Sequence, residues 1–182
     1  VVGAAGSGKT TLARRLAERL GIEHVELDAL FWGPDWTPVP LETFRVHVRE
    51  ALAGEAWTTD GNYSKARDLI WARADTLVWL DYPLPLVMWR VTTRTLRRSL
   101  TGEELWSGNR ESLHSALFDE DSIVRYALKG HRRWRREYPA LFREPEYHHL
   151  RVVRLQSARQ TRRWITGVGD TSSVPAITSE SG

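Results

Sequence analysis

Near the start of the chain stands Gly3-Ala4-Ala5-Gly6-Ser7-Gly8-Lys9-Thr10-Thr11. It satisfies G-x-x-x-x-G-K-[ST] at every fixed position. That spacing suits one task, the holding of nucleotide phosphates. The glycines let the backbone curl so that successive N–H groups point inward, and the helix that follows adds its positive end. Lys9 is placed to reach the β and γ phosphates, and the Thr10 hydroxyl to bind Mg²⁺. The expected ligands are ATP or GTP with Mg²⁺, held by Gly3 through Thr11.

Three carboxylates compete for the remaining metal and base roles: Asp28, Asp60 and Asp81, at the ends of the second, third and fourth expected strands. Asp81 closes the most hydrophobic of these, LVWLD, and reads as a turn residue before Pro83. Arg90, Arg94, Arg97 and Arg98 follow i, i+4, i+7, i+8 and share one helical face. Guanidiniums on one face suit an anion-binding surface, the alternative being a solvated basic face.

These groups need an alternating scaffold. Val1-Val2 ends a strand, and Leu12, Leu16 and Leu20 mark the buried stripe of a helix that Gly21 stops. His24–Leu27, Trp57–Asp60, Thr76–Asp81 and Arg151–Leu155 read as strands. Helices are expected over Leu41–Ala53, Ser64–Ala74, Pro83–Ser99, Leu113–Leu128, Arg132–Leu141 and Ala158–Ile165, and WGPDWTPVP is a loop. Strands alternating with helices predict an α/β fold, a five-stranded parallel sheet flanked by helices on both faces. Only two apolar residues precede Gly3, so more of the first strand is expected upstream of Val1. From Gly167 the composition turns to Gly, Ser, Thr and Pro, a tail without periodicity.

The 182 residues, 41% hydrophobic and 27% charged, fit one globular domain. The absence of cysteine excludes disulfides, thiol catalysis and thiolate zinc sites. No apolar run approaches the ~20 residues of a membrane helix, and no signal peptide is visible, so a cytoplasmic enzyme with no membrane partner is expected. A net charge of +3 is modest for a dedicated nucleic-acid binder.

GAAGSGKTTLA, LDALFWGPDW, DGNY at Asp60–Tyr63, RADTLVWLDYP and LWSGNRES together resemble the adenylate-kinase-like P-loop kinases. Within these, the chain is most similar to the bacterial group labelled "DNA topology modulation" or FlaR-like. The resemblance runs from Val1 to Ile165. It implies a three-layer P-loop fold over residues 1–166, an acceptor arm at about 28–54 and a helical lid at about 94–113. In such kinases the third strand lies beside the first, which assigns Asp60 to Mg²⁺. Asp28 stands where related kinases carry a carboxylate toward the acceptor hydroxyl, making it the general-base candidate. Arg94, Arg98 and Arg110 become the lid residues expected on the transferring phosphates, and Leu155–Ala158 the backbone that meets adenine.

The chain departs from adenylate kinases where D-G-F-P-R becomes Asp60-Gly61-Asn62-Tyr63-Ser64, which argues against AMP as acceptor. Phe44-Arg45 resembles the FR pair of shikimate kinases, so Arg45, with Asn62, Tyr63, Trp32 and Trp36, is a candidate for the acceptor pocket. The expected activity is ATP- and Mg²⁺-dependent phosphate transfer to a small molecule. A nucleic-acid-associated NTPase or regulator is the second possibility, less favoured because no helix-turn-helix or single-strand-binding motif is present. A GTPase switch is disfavoured by the lack of N-K-x-D. The sequence leaves acceptor identity and oligomeric state open.

Overall fold

The computed structural model describes residues 1–109 and 122–169. Arg110, the rest of the expected lid, the start of the expected helix at 113 and the tail from 170 lie outside the described residues. In order, the elements are β1 (Val2–Gly3), α1 (Lys9–Leu20), β2 (Glu23–Glu26), α2 (Leu27–Phe31), α3 (Leu41–Ala51), β3 (Trp57–Asp60), α4 (Arg67–Trp71), β4 (Thr76–Leu80), α5 (Leu84–Thr101), α6 (Ile123–Leu141), β5 (Arg151–Leu155) and α7 (Ala158–Gly167). A 3₁₀ turn, Pro34–Trp36, lies in the loop after α2, and another, Trp106–Gly108, follows α5.

The strands are parallel, as expected, but they do not form one continuous five-stranded ladder. Backbone pairing gives a three-stranded sheet, β1-β4-β5, and a two-stranded pair, β2-β3. Val2 pairs with Trp79, and β4 pairs with β5 from Thr76↔Arg151 to Leu80↔Leu155. Glu26 pairs with Asp60. The break has a local cause. At the seam only Val1 supplies main-chain rungs, donating to the Thr59 carbonyl (2.6 Å) and accepting from Gly61 N (3.2 Å). The next rungs, at Gly3, are made by a side chain. The Asn62 amide accepts from Gly3 N (3.1 Å) and donates to Gly3 O (2.6 Å). A side-chain amide thus stands in for a peptide unit, and the two sheets lie edge to edge as one layer.

Alternation along β4 sorts the core. Leu77 and Trp79 join Val25, Leu27, Phe44, Val48 and Tyr138 on one face. Val78 and Leu80 join Leu12, Leu16, Val87, Val153 and Leu155 on the other. α1 ends at Gly21 in the left-handed conformation (φ 66°), as its sequence signal predicts.

Two expected helices behave differently. Ser64–Ala74 breaks into a 3₁₀ turn, Ser64–Ala66, and the short α4. Lys129-Gly130 does not interrupt α6, which runs unbroken to Leu141. Ala127, His131, Trp134 and Tyr138 form a buried stripe at helical spacing. The Gly130 Cα packs beside the Trp134 indole, where a Cβ would come within 3.4 Å of its nitrogen. Packing therefore outweighs the helix penalty of glycine, about 1 kcal/mol.

α6 is tied to the end of β4 by charge. The buried Asp81 carboxylate accepts from Arg135 Nε (2.5 Å) and from Arg154 Nη2 (2.5 Å) and Nε (2.9 Å). His131 Nε2 meets the Tyr82 carbonyl at 2.9 Å. Asp81 is thus a node between strand and helix, more than the turn residue its sequence suggests. Asp81→Asn is expected to lower stability by about 2 kcal/mol, because two guanidiniums lose a charged acceptor while keeping access to water. Urea titration measures this. A loss below about 0.5 kcal/mol, the range of neutral surface changes, would mean the node carries no stability.

Candidate phosphate-binding site

The cradle leaves β1 at Gly3 and enters α1 at Lys9. Three glycines in it have no substitute. At Gly3 (φ 146°) a Cβ would come within 2.6 Å of the Leu80 carbonyl. Gly6 (φ 81°) lies against α5, where a Cβ would come within 2.8 Å of the Val87 carbonyl and 2.9 Å of the Val91 Cβ. Gly8 (φ 93°) is the N-cap of α1 in left-handed geometry. Ser7 N donates to Ala4 O (3.1 Å), curling the loop, and Lys9 Nζ donates to Ala4 O (3.1 Å) across it. The sequence expectation for Gly3, Ala4, Ala5, Gly6, Ser7, Gly8, Lys9, Thr10 and Thr11 therefore meets a loop of the right shape opening onto a helix N-terminus.

The end of β3 delivers Asp60. Thr10 Oγ1 donates to Asp60 Oδ2 at 2.6 Å, and His24 Nε2 meets Asp60 Oδ1 at 2.9 Å. Among the described residues, no group of three or more His, Cys, Asp or Glu side chains is arranged to hold a metal. A hydroxyl beside a buried carboxylate suits Mg²⁺. That ion binds few protein oxygens and completes its octahedron with phosphate and water. The donor set therefore fits Mg²⁺ at Thr10 and Asp60.

Asp28, in the first turn of α2, accepts a hydrogen bond from the Tyr63 hydroxyl. Burial raises the Asp28 pKa above the usual carboxylate range; Tyr63, Lys9 and Arg94 pull it back down, and Asp60 adds to the rise. Burial likewise lowers the Lys9 pKa, opposed by Asp60 and Asp28 and reinforced by Arg94. Asp60 and Arg94 thus act on both Lys9 and Asp28. Tyr63 is the residue that orients Asp28.

Arg90 shares the basic face of α5 but was not among the arginines expected on the phosphates, yet it touches the cradle directly. Its Nη1 donates to Ser7 O (3.3 Å), and its guanidinium sits 5.1 Å from the centre of the Tyr82 ring. Arg94 stands one turn further along α5. Beyond it, Arg98 Nε and Arg97 Nη2 both bond to Glu103, at 3.2 and 3.1 Å, which anchors the end of α5. Two further residues escaped the sequence signal. His24 touches Asp60 directly. Glu26, with its pKa raised by burial and by Asp60, accepts a hydrogen bond from Trp106. The available clue was His24 and Glu26 alternating around buried Val25 on a strand, which puts both on one face.

Two acceptor candidates have other duties. Arg45 forms a bidentate pair with Asp68 (2.8 and 2.7 Å) and donates to Lys65 O (2.6 Å), so its fork clamps α3 to α4. Its neighbour Phe44 is fully buried, which turns Arg45 outward along the helix. Asn62 is engaged through both amide atoms with Gly3, and its Oδ1 also accepts from Tyr138 (2.9 Å). It supports the cradle through these contacts. Trp32 and Trp36 do face one another, with ring centres 5.7 Å apart. At the expected adenine segment, Leu155 O accepts from Asp81 N (2.9 Å), and Gln156 N donates to the Gln160 side chain (2.7 Å). Those two main-chain groups are thus used within the protein.

A family model described as "AAA domain" matches residues 1–177. No curated protein matches the chain. No helix among the described residues is long and apolar enough to cross a membrane.

The Asn62 geometry separates two roles. Asn62→Ala is expected to weaken ATP binding about tenfold or more, because Gly3 loses both rungs that set the start of the cradle. Titration with a fluorescent ATP analogue, alongside circular dichroism to confirm folding, checks this. Unchanged ATP affinity would return Asn62 to the acceptor side.

Proposed function

The chain belongs to the AAA-domain family of P-loop nucleotide-binding proteins, and from that premise we propose that it is an ATP- and Mg²⁺-dependent phosphotransferase acting on a small hydroxyl compound. The strongest support is Asp28. Its carboxylate is held by a tyrosine beside Lys9 and an arginine, where it can take the proton of an attacking hydroxyl.

The roles follow from position. The cradle amides, Lys9 and Arg90 bind the phosphates, and Arg94 neutralises charge on the moving phosphoryl group. Mg²⁺, when bound at Thr10 and Asp60, supplies further neutralisation of the phosphate oxygens. Asp28 accepts the hydroxyl proton as the acceptor oxygen bonds to the γ-phosphorus. The bond from that phosphorus to the β–γ bridging oxygen breaks, and ADP leaves. A raised pKa serves this step, since a stronger base takes the proton more readily. His24 holds the Asp60 carboxylate from its other side and keeps it turned toward Thr10.

The nucleic-acid alternative gains no specific support from the basic helices. Arg133 is paired with Glu137 (2.9 Å), and Arg135 with Asp81.

Lys9→Ala is expected to abolish nucleotide-dependent turnover. Asp28→Asn is expected to lower transfer by about 10²–10⁴ while ATP still binds. ADP release with a panel of hydroxyl acceptors, and with DNA as a separate addition, measures both. Undiminished transfer by Asp28→Asn would remove the base assignment, and stimulation by DNA alone would replace the kinase reading.

The raised Asp28 pKa also fixes a sign. The folded protein holds this proton more tightly than the unfolded chain, so stability falls as pH rises from the usual carboxylate pKa through the folded one. Asp28→Asn is therefore expected to raise Tm at neutral pH. It should also remove an acid limb of the rate profile lying above the usual carboxylate range. A lower Tm would contradict burial as the dominant cause.

A further inference from the structure

Charge around the site is divided. Lys9, Arg90 and Arg94 lie on the cradle and α5. Between Val25 and Phe44 the arm carries no Lys, Arg or His, but has Glu26, Asp28, Asp35 and Glu42. The first cation after it, Arg45, is already bound to Asp68. On this stretch of the arm an anionic acceptor such as a nucleoside monophosphate, a hydroxy acid or a sugar phosphate would meet carboxylates and no cation.

The same region forms an aromatic wall. Trp32 and Trp36 meet edge to face (5.7 Å, 81°), and so do Trp36 and Trp106 (6.3 Å, 76°). All three rings are partly exposed. The Trp106 side chain hydrogen-bonds to Glu26, which sits two residues from Asp28. The wall is held by built contacts. Ser107 Oγ donates to Trp32 O (2.8 Å), Trp36 N donates to Asn109 Oδ1 (2.9 Å), and Asn109 Nδ2 donates to Gly33 O (2.9 Å). Asn109 is buried. Among the described residues, the non-glycine positions with positive φ are Asp35, Trp36 and Ser107, all within this wall. A bulky residue such as tryptophan in that region is strained, and such strain collects where side chains are held for binding.

Tryptophan faces beside a carboxylate are the chemistry that recognises an organic cation. We propose that the acceptor is an amino alcohol, a hydroxyl compound bearing a protonated amine or quaternary ammonium group. Glu26, Trp36 and Trp106 take the cation, and Asp28 takes the hydroxyl. This assignment rests on the phosphotransferase reading for the fate of the hydroxyl, while cation recognition by the wall can be read without it. It excludes anions by the carboxylates of the arm as much as it selects cations by attraction.

The test uses the full chain and two matched sets of probes. Choline is compared with its neutral isostere 3,3-dimethylbutan-1-ol and with 4-hydroxybutyrate; glucosamine is compared with glucose and gluconate. Binding is read by tryptophan fluorescence, and transfer by ADP formation from Mg²⁺-ATP. The expected result is a preference of about tenfold for the cationic member over the neutral one, no detectable binding of the anion, and loss of that preference in Glu26→Gln. Equal or better binding of the neutral or anionic member, or no binding of either cation, overturns the proposal. Failure to bind or turn over ATP overturns the phosphotransferase reading alone, because the fluorescence preference is read without nucleotide.

Discussion

One side-chain amide holds the molecule's functional half to its structural half. Asn62 completes the hydrogen bonding of Gly3, the residue at which β1 becomes the phosphate cradle. On one side of it lies β3, which delivers Asp60. On the other lies β1, which delivers the cradle. The same Asn62 oxygen accepts from Tyr138, deep in the core stripe of α6. The placement of Thr10 against Asp60 therefore depends on a seam with one main-chain residue and one amide to close it. A buried backbone left unpaired there would cost the free energy of orphaned polar groups.

Charge burial is the second constraint. The charges of Asp60 and Arg94 act on both Lys9 and Asp28, Asp60 is buried, and the other three are partly withdrawn from water. Such a group is tolerable because cations and anions alternate and the geometry gives each a partner: Tyr63 for Asp28, His24 and Thr10 for Asp60, the Ala4 carbonyl for Lys9. Exchange of the Ala4 carbonyl for phosphate oxygens replaces a dipole with a full charge, so nucleotide binding strengthens the very contact that burial weakens.

The cradle was legible in the sequence because its function is carried by main-chain groups. Glycine spacing and a following helix are enough to specify it. Asp60 and Asp28 were legible through strand ends, and the strand-helix alternation gave the class of fold. What escaped depended on neighbours distant along the chain. Arg45 looked available until α4 brought Asp68 to it. The sheet role of Asn62 escaped because nothing local reveals that an amide can substitute for a rung. The single five-stranded sheet failed at that same seam. Lys129-Gly130 looked like a helix break, yet the stripe from Ala127 to Tyr138 carries α6 through it. Glu26 and His24 were passed over because polar residues on a short strand look solvent-facing until their pairing with β3 is known.

Gly6 has a further consequence. Its Cα lies so close to α5 that a single methyl group would strike both a backbone carbonyl and a side chain. The loop and the helix bearing Arg90 and Arg94 are therefore in direct backbone contact, without a compliant side chain between them. In evolutionary terms, the site's precision is stored in an atom that is not there. Exposed positions of α5, such as Trp89 and Leu100, are free to drift without moving the arginines, whereas position 6 admits no drift at all.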